Sequence, residues 1–202
     1  MSVKALIPLL MGMLWVGFIL TGCRSPQSTP VIASSLSTRN NCYSLLHQLL
    51  AEQKDVSLLR FIKSEQSDVK ILVKRIATTS GTGAALLEKF AQDDPTIRLD
   101  DLRLPPGELA TRASIASDKE KELLSQHGDK FELTLLLTQT EALSYAWHLA
   151  KITAECEPQP DRARALVGVS EDMQQLYHEV FVLLLAKKSS LVTNSGGTHP
   201  SE

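Results

Sequence analysis

The chain has 202 residues, a mass of 22.2 kDa and a formal charge of −2, with 43% hydrophobic and 5% aromatic residues. That is enough apolar material for one domain with its own core. It excludes a disordered chain, a collagen and a disulfide-dense mini-protein, and the near-neutral balance leaves no electrostatic footprint for nucleic acid.

Lys4 is the only charge among the first 22 residues, and an apolar run from Ala5 to Leu20 follows it. A cationic start, a short apolar core and small residues before a cut site describe an export signal over residues 1–22. The run is shorter than the ~20 residues of a membrane span. It ends in Leu20-Thr21-Gly22-Cys23. This segment resembles the lipobox of bacterial lipoproteins. The resemblance implies cleavage before Cys23, lipidation of Cys23 and a membrane anchor of several acyl chains, which holds where a single chain binds only marginally. Arg24 follows, not the aspartate that retains Gram-negative lipoproteins at the inner membrane, so the resemblance favours the outer membrane. The Ser-, Thr- and Pro-rich stretch over residues 23–39 reads as a flexible tether, and residues 189–202, with Asn194-Ser195-Gly196-Gly197, as a disordered tail.

Between them, residues 40–188 read as helices. Asn40 and Asn41 cap a first helix through Lys63, with Leu45, Leu46, Leu49, Val56, Leu59 and Ile62 at three- and four-residue spacing. Ser67 caps a second, whose face is Val69, Leu72, Val73, Ile76, Gly83, Leu87 and Phe90. Its Thr78–Gly83 stretch predicts a kink or a break, since each glycine costs roughly 1 kcal/mol relative to alanine. A long connection with Leu104-Pro105-Pro106 leads to a short helix within Glu108–His127, ended by Gly128. Asp129 opens a strong helix to about Glu155, striped by Phe131, Leu135, Ala142, Tyr145, Leu149 and Ile152. Asp161 caps the last helix, striped by Leu166, Val169, Met173, Leu176, Val180 and Leu184. Alternating strand patterns are absent. The expected fold is all-α, a four-helix bundle with a long crossover that contains a short helix.

With Cys23 lipidated, Cys42 and Cys156 remain. In an oxidising compartment they are expected to pair as a disulfide, the alternative being two separate free thiols. Pairing requires the first and third long helices to be antiparallel. If the first two form a hairpin, the 36 residues from Asp93 to Gly128 must run back along the bundle, which they are long enough to do. Hairpin, crossover, hairpin is the ferritin-like order.

The segment from Leu45 to Leu184 is similar to the DUF4142 family of exported ferritin-like bundles. The likeness rests on two helices, the Leu104-Pro105-Pro106 element, a short helix, and Leu123-Leu124-Ser125-Gln126-His127-Gly128-Asp129-Lys130-Phe131 opening the next. Many members carry an Asp-His pair in the second helix, where this chain has Ala77-Thr78-Thr79-Ser80. The resemblance implies fold and export, not a mechanism.

A standard di-iron centre needs Glu-x-x-His on two helices, and no glutamate here has histidine three residues on. Glu141 with His148, and Glu171 with His178, repeat at Glu-x6-His, which puts each pair on one helical face. Because the helices turn back near Pro158, these four are the metal candidates, through cross-helix His–Glu pairs. Their polar neighbours Gln139, Ser144, Lys151, Gln174 and Gln175 favour plain solvated faces instead. Gly81-Thr82-Gly83 starts like a dinucleotide fingerprint but lacks its third glycine and any βαβ frame. Trp147, Tyr145 and Tyr177 either line a groove between the last two helices or pack at the core boundary. No catalytic motif and no cofactor site emerges. The expected role is an interaction or structural module: a lipid-anchored, periplasm-facing envelope protein with a membrane contact and a protein partner. The alternative is a ferritin-like protein that binds a metal or small ligand.

Overall fold

A computed structural model describes residues 31–55 and 67–195. The expected signal segment, Cys23, the first part of the tether, the expected continuation of the first helix over Val56, Leu59 and Ile62, and the end of the tail lie outside the described residues. Those described are all-α: α1 Val31–Lys54, α2 Ser67–Asp93, α3 Pro106–Ser125, α4 Gly128–Cys156 and α5 Pro160–Ser195, with no strand among them. None of these helices is long and apolar enough to cross a membrane.

The expected stripes supply most of the core. Leu45, Leu46 and Leu49 of α1 are buried, as are Val69, Leu72, Val73, Ile76 and Leu87 of α2. So are Phe131, Leu135, Ala142 and Leu149 of α4, and Leu166, Val169, Met173, Leu176 and Val180 of α5. Phe90, Tyr145 and Leu184 pack partly buried against them. Ile152 departs from its expected place and is exposed, while Leu149, Ala150, Thr153 and Ala154 of the same stretch carry the buried side of α4.

Side-chain pairs fix the directions. His47 meets Glu88, and Lys54 lies against Gly81, so α1 and α2 are antiparallel. Arg75 pairs with Glu179 and Asp94 with Arg162, so α2 and α5 are antiparallel. The Ser170 hydroxyl donates to the Trp147 carbonyl (3.1 Å), and Lys187 meets Glu132 (2.7 Å), so α4 and α5 are antiparallel as well. Since α1 opposes α2, α2 opposes α5 and α5 opposes α4, α1 runs antiparallel to α4, and Tyr43 donates to Glu157 just past the end of α4 (2.7 Å).

Three expectations need correction. The first helix starts at Val31, ahead of the expected Asn40 and inside the expected tether, and ends at Lys54. The connection that follows α2 meets these added turns, where Arg103 donates to Ser37 (2.9 Å) and Arg39 to Thr96 (2.8 Å), and continues along the expected part, where Asn40 Oδ1 accepts from the Arg98 N–H (3.3 Å) and Ser44 bridges Arg98 and Asp101 (2.9 Å each). The second helix runs unbroken through Thr78–Gly83. There the glycine admits a close approach: a Cβ on Gly83 would stand 3.0 Å from Leu50 Cδ1 and 3.7 Å from Val169 Cγ1. Last, α5 continues to Ser195, past the expected start of the tail.

The connection crosses α1 and feeds α3, which carries Pro106 in its first turn, where the missing N–H costs nothing. From there α3 descends along α4. Arg112 sits over the Tyr145 ring, 5.8 Å from its centroid, and Gln126 accepts from Thr134 (2.6 Å). Gly128, at φ +58°, makes the left-handed turn into α4 that favours glycine.

Candidate functional site

Helical spacing puts Tyr177, Phe181 and Leu185 on one side of α5, four residues apart. The antiparallel register of α4 brings Trp147 opposite. The Trp147 and Tyr177 ring centroids lie 6.2 Å apart, and Tyr177 stacks on Phe181 at 6.0 Å with planes 14° apart. His148 tilts against Trp147 at 4.3 Å, while His178 lies 6.4 Å from Trp147 and edge-on to Tyr177 at 5.4 Å. Beyond the rings the surface stays apolar: Phe181 is 41%, Leu185 48% and Val182 66% exposed. Toward the α4–α5 turn the same face dips into an open depression of about 350 Å³, lined by Lys151, Ala154, Glu155, Ala163, Val167 and Ser170.

Of the two expectations for Trp147 and Tyr177, the packing at the core boundary is what the structure displays, and neither lines the depression. Both are partly buried and seal the outer edge of the α4–α5 contact. Tyr145 is not part of it. It turns to the other side of α4, toward Arg112. Phe181, Val182 and Leu185 were not read as surface residues from sequence, although the Tyr177-Phe181-Leu185 spacing was there to find.

The Glu-x6-His candidates separate. Both histidines lie on the aromatic face, where His148 Nδ1 is 2.8 Å from the Ser144 carbonyl. Glu141 points toward α3: Lys119 and Glu122 act on its charge, burial raises its pKa, and Oε2 is buried without a hydrogen-bond partner. Glu171 is exposed. Among the described residues no group of three or more His, Cys, Asp or Glu side chains is placed to hold a metal ion.

Polar chemistry concentrates at the end of the bundle where Cys42 and Cys156 lie. Glu157, whose side chain is fully buried, accepts from Tyr43 Oη, from Arg162 Nη2 (2.8 Å) and Nε (3.1 Å), and from the Gln159 N–H (2.9 Å). Burial alone would raise its pKa, but these donors outweigh it and hold the carboxyl below the ordinary range. Arg162 also reaches Asp94 (3.0 Å), which accepts from the Thr96 hydroxyl (2.6 Å). Beside this network Cys42 is buried and Cys156 half-buried. The two cysteines expected to pair stand as free thiols that adjoin where α1 meets the end of α4. Burial, then the Cys156 neighbour, pushes the Cys42 thiol up to about 11.

No family model, curated protein or solved structure matches this chain.

Proposed function

We propose that this protein is a lipid-anchored, periplasm-facing component of a bacterial cell envelope, whose helical bundle binds another envelope protein through the outer face of α4 and α5. The observation that carries the contact is the strip of Trp147, Tyr177, Phe181, Val182 and Leu185. Contiguous exposed apolar surface with ring edges and polar tips is what protein interfaces bury. Anchoring rests on the Leu20-Thr21-Gly22-Cys23 lipobox, and Arg24 favours the outer membrane. The bundle is of the ferritin-like kind. What supports that is an antiparallel α1–α2 pair, a crossover that runs over α1 and down α3, an antiparallel α4–α5 pair, and α1 antiparallel to α4. The resemblance to the DUF4142 bundles points the same way.

Crosslinking in intact envelopes followed by affinity capture tests the reading, with wild type, Cys23→Ala and Phe181→Glu compared. The account expects wild type to retain a discrete partner that Phe181→Glu loses at equal abundance, and Cys23→Ala to leave the membrane fraction. The same proteins captured by wild type and Phe181→Glu would contradict it.

One observation favours a second reading, a bundle that holds a metal or small ligand inside. Gln53 Oε1, Ser80 Oγ and Gln139 Oε1 are buried with no hydrogen-bond partner, and such atoms ordinarily satisfy themselves on something. Stoichiometric iron, copper or zinc that survives dialysis would decide for that reading.

A further inference from the structure

We propose that Cys42 and Cys156 are a disulfide-forming pair with divided roles: Cys156 attacks an external disulfide first, and Cys42 then closes the bond inside the protein. Position carries the assignment. The two thiols act on each other where α1 meets the end of α4. Only one of them is open to a co-reactant. Cys42 is 7% exposed on the inner side of α1, whereas Cys156, on the last residue of α4, is half-buried. The neighbouring residues keep that geometry: Tyr43 and Glu157, one position further along each chain segment, are joined by their own 2.7 Å hydrogen bond. The raised pKa of Cys42 fits a thiol that does not react with solvent reagents on its own.

The electrons balance by thiol–disulfide exchange. The Cys156 thiolate attacks one sulfur of an oxidant disulfide and expels the other as a thiolate. Cys42 Sγ then attacks Cys156 Sγ, giving its proton to the departing thiolate, and the second half of the oxidant leaves. Two protein thiols are oxidised to one disulfide, and one external disulfide is reduced to two thiols. The product ties α1 to the α4–α5 turn. It therefore adds a covalent link between two hairpins that meet by packing, ion pairs and the Tyr43–Glu157 hydrogen bond.

The test uses the full chain in a Cys23→Ala background, with oxidised glutathione as the oxidant, acid quenching, and alkylation after denaturation. We expect the pair to lose both alkylatable thiols and to gain roughly 5–10 °C in Tm over its reduced form. Cys42→Ser is expected to accumulate one glutathione on Cys156 at least tenfold faster than Cys156→Ser acquires one on Cys42, with helix content checked by circular dichroism. Two alkylatable thiols after full equilibration would overturn the bond, and this result needs no further variant. Equal rates in the two folded single variants would overturn the division of roles.

Discussion

Glu52 shows how one side chain stores pH sensitivity in a helical core. It is buried on α1, and burial pushes its pKa up to about 7, against the smaller opposing pull of a Gln48 hydrogen bond (2.9 Å) and the Arg112 charge. A carboxyl whose folded pKa is raised favours the folded state most when protonated, so its cost grows as pH rises from the ordinary carboxylate range to about 7 and is constant above. Glu52→Gln should therefore leave stability unchanged near pH 4 and raise it by up to about 3 kcal/mol at pH 8, read from denaturation at both pH values. Glu157 and Asp94 have the opposite sign. Arg162, Tyr43 and the Gln159 N–H outweigh burial at Glu157, and Thr96 leads at Asp94; both pKa values are lowered. Their stability is present at neutral pH and is lost as pH falls below the ordinary carboxylate range. Arg162→Ala removes the cation from a fully buried carboxylate. It should cost about 3 kcal/mol in urea denaturation at pH 7, with the loss shrinking in acid as Glu157 protonates.

At the scale of the element, two glycines in helix interiors predict opposite outcomes. Gly83 lies where Leu50 and Val169 close in, and Leu50 is fully buried with little room to retreat. Gly168 has open space where its Cβ would be. Gly168→Ala should raise stability by up to about 1 kcal/mol through helix propensity alone. Gly83→Ala should lose that gain to the contact, and Gly83→Val should lower stability by roughly 1–3 kcal/mol. Thermal melts of the three variants check the ordering. These glycines also mark what local pattern conveys. A Gly-Thr-Gly run reads as a weak point on a propensity scale, but its role is set by a helix that packs from more than thirty residues away in sequence, which no local window contains. The early start of α1 was hidden for the same reason. Ser34, Ser35, Ser37 and Thr38 are linker-like in composition. The helix there meets distant residues: Ser37 accepts from Arg103 and Arg39 donates to Thr96, 66 and 57 positions away. Where the apolar period is strong, as along α4 and α5, the stripe was legible almost residue by residue, with Ile152 the exception.

For the whole molecule, the cysteine count constrained topology before any coordinate did. Setting one thiol aside for the anchor left two whose pairing required α1 antiparallel to α4, and that direction follows from the antiparallel contacts of α1 with α2, α2 with α5 and α5 with α4. The candidate surface was less legible. Trp147 and Tyr177 were visible as potential groove residues. Phe181, Val182 and Leu185 belong to a helix whose inner and outer faces are both apolar, so periodicity alone does not say which leucine or valine faces out. The Glu-x6-His pairs had clear spacing but no convergence, because Glu141 turns to α3 while His148 and His178 stay with the rings. The account thus places contact on one outer face of the bundle and predicts that the face opposite, on α2, is free. Photo-crosslinking in intact envelopes measures this most directly, with a photoreactive residue at Phe181 in one variant and at the exposed Lys74 in another. The account predicts a discrete protein adduct at Phe181 and none at Lys74; adducts of equal yield at both positions, or none at Phe181, would contradict it.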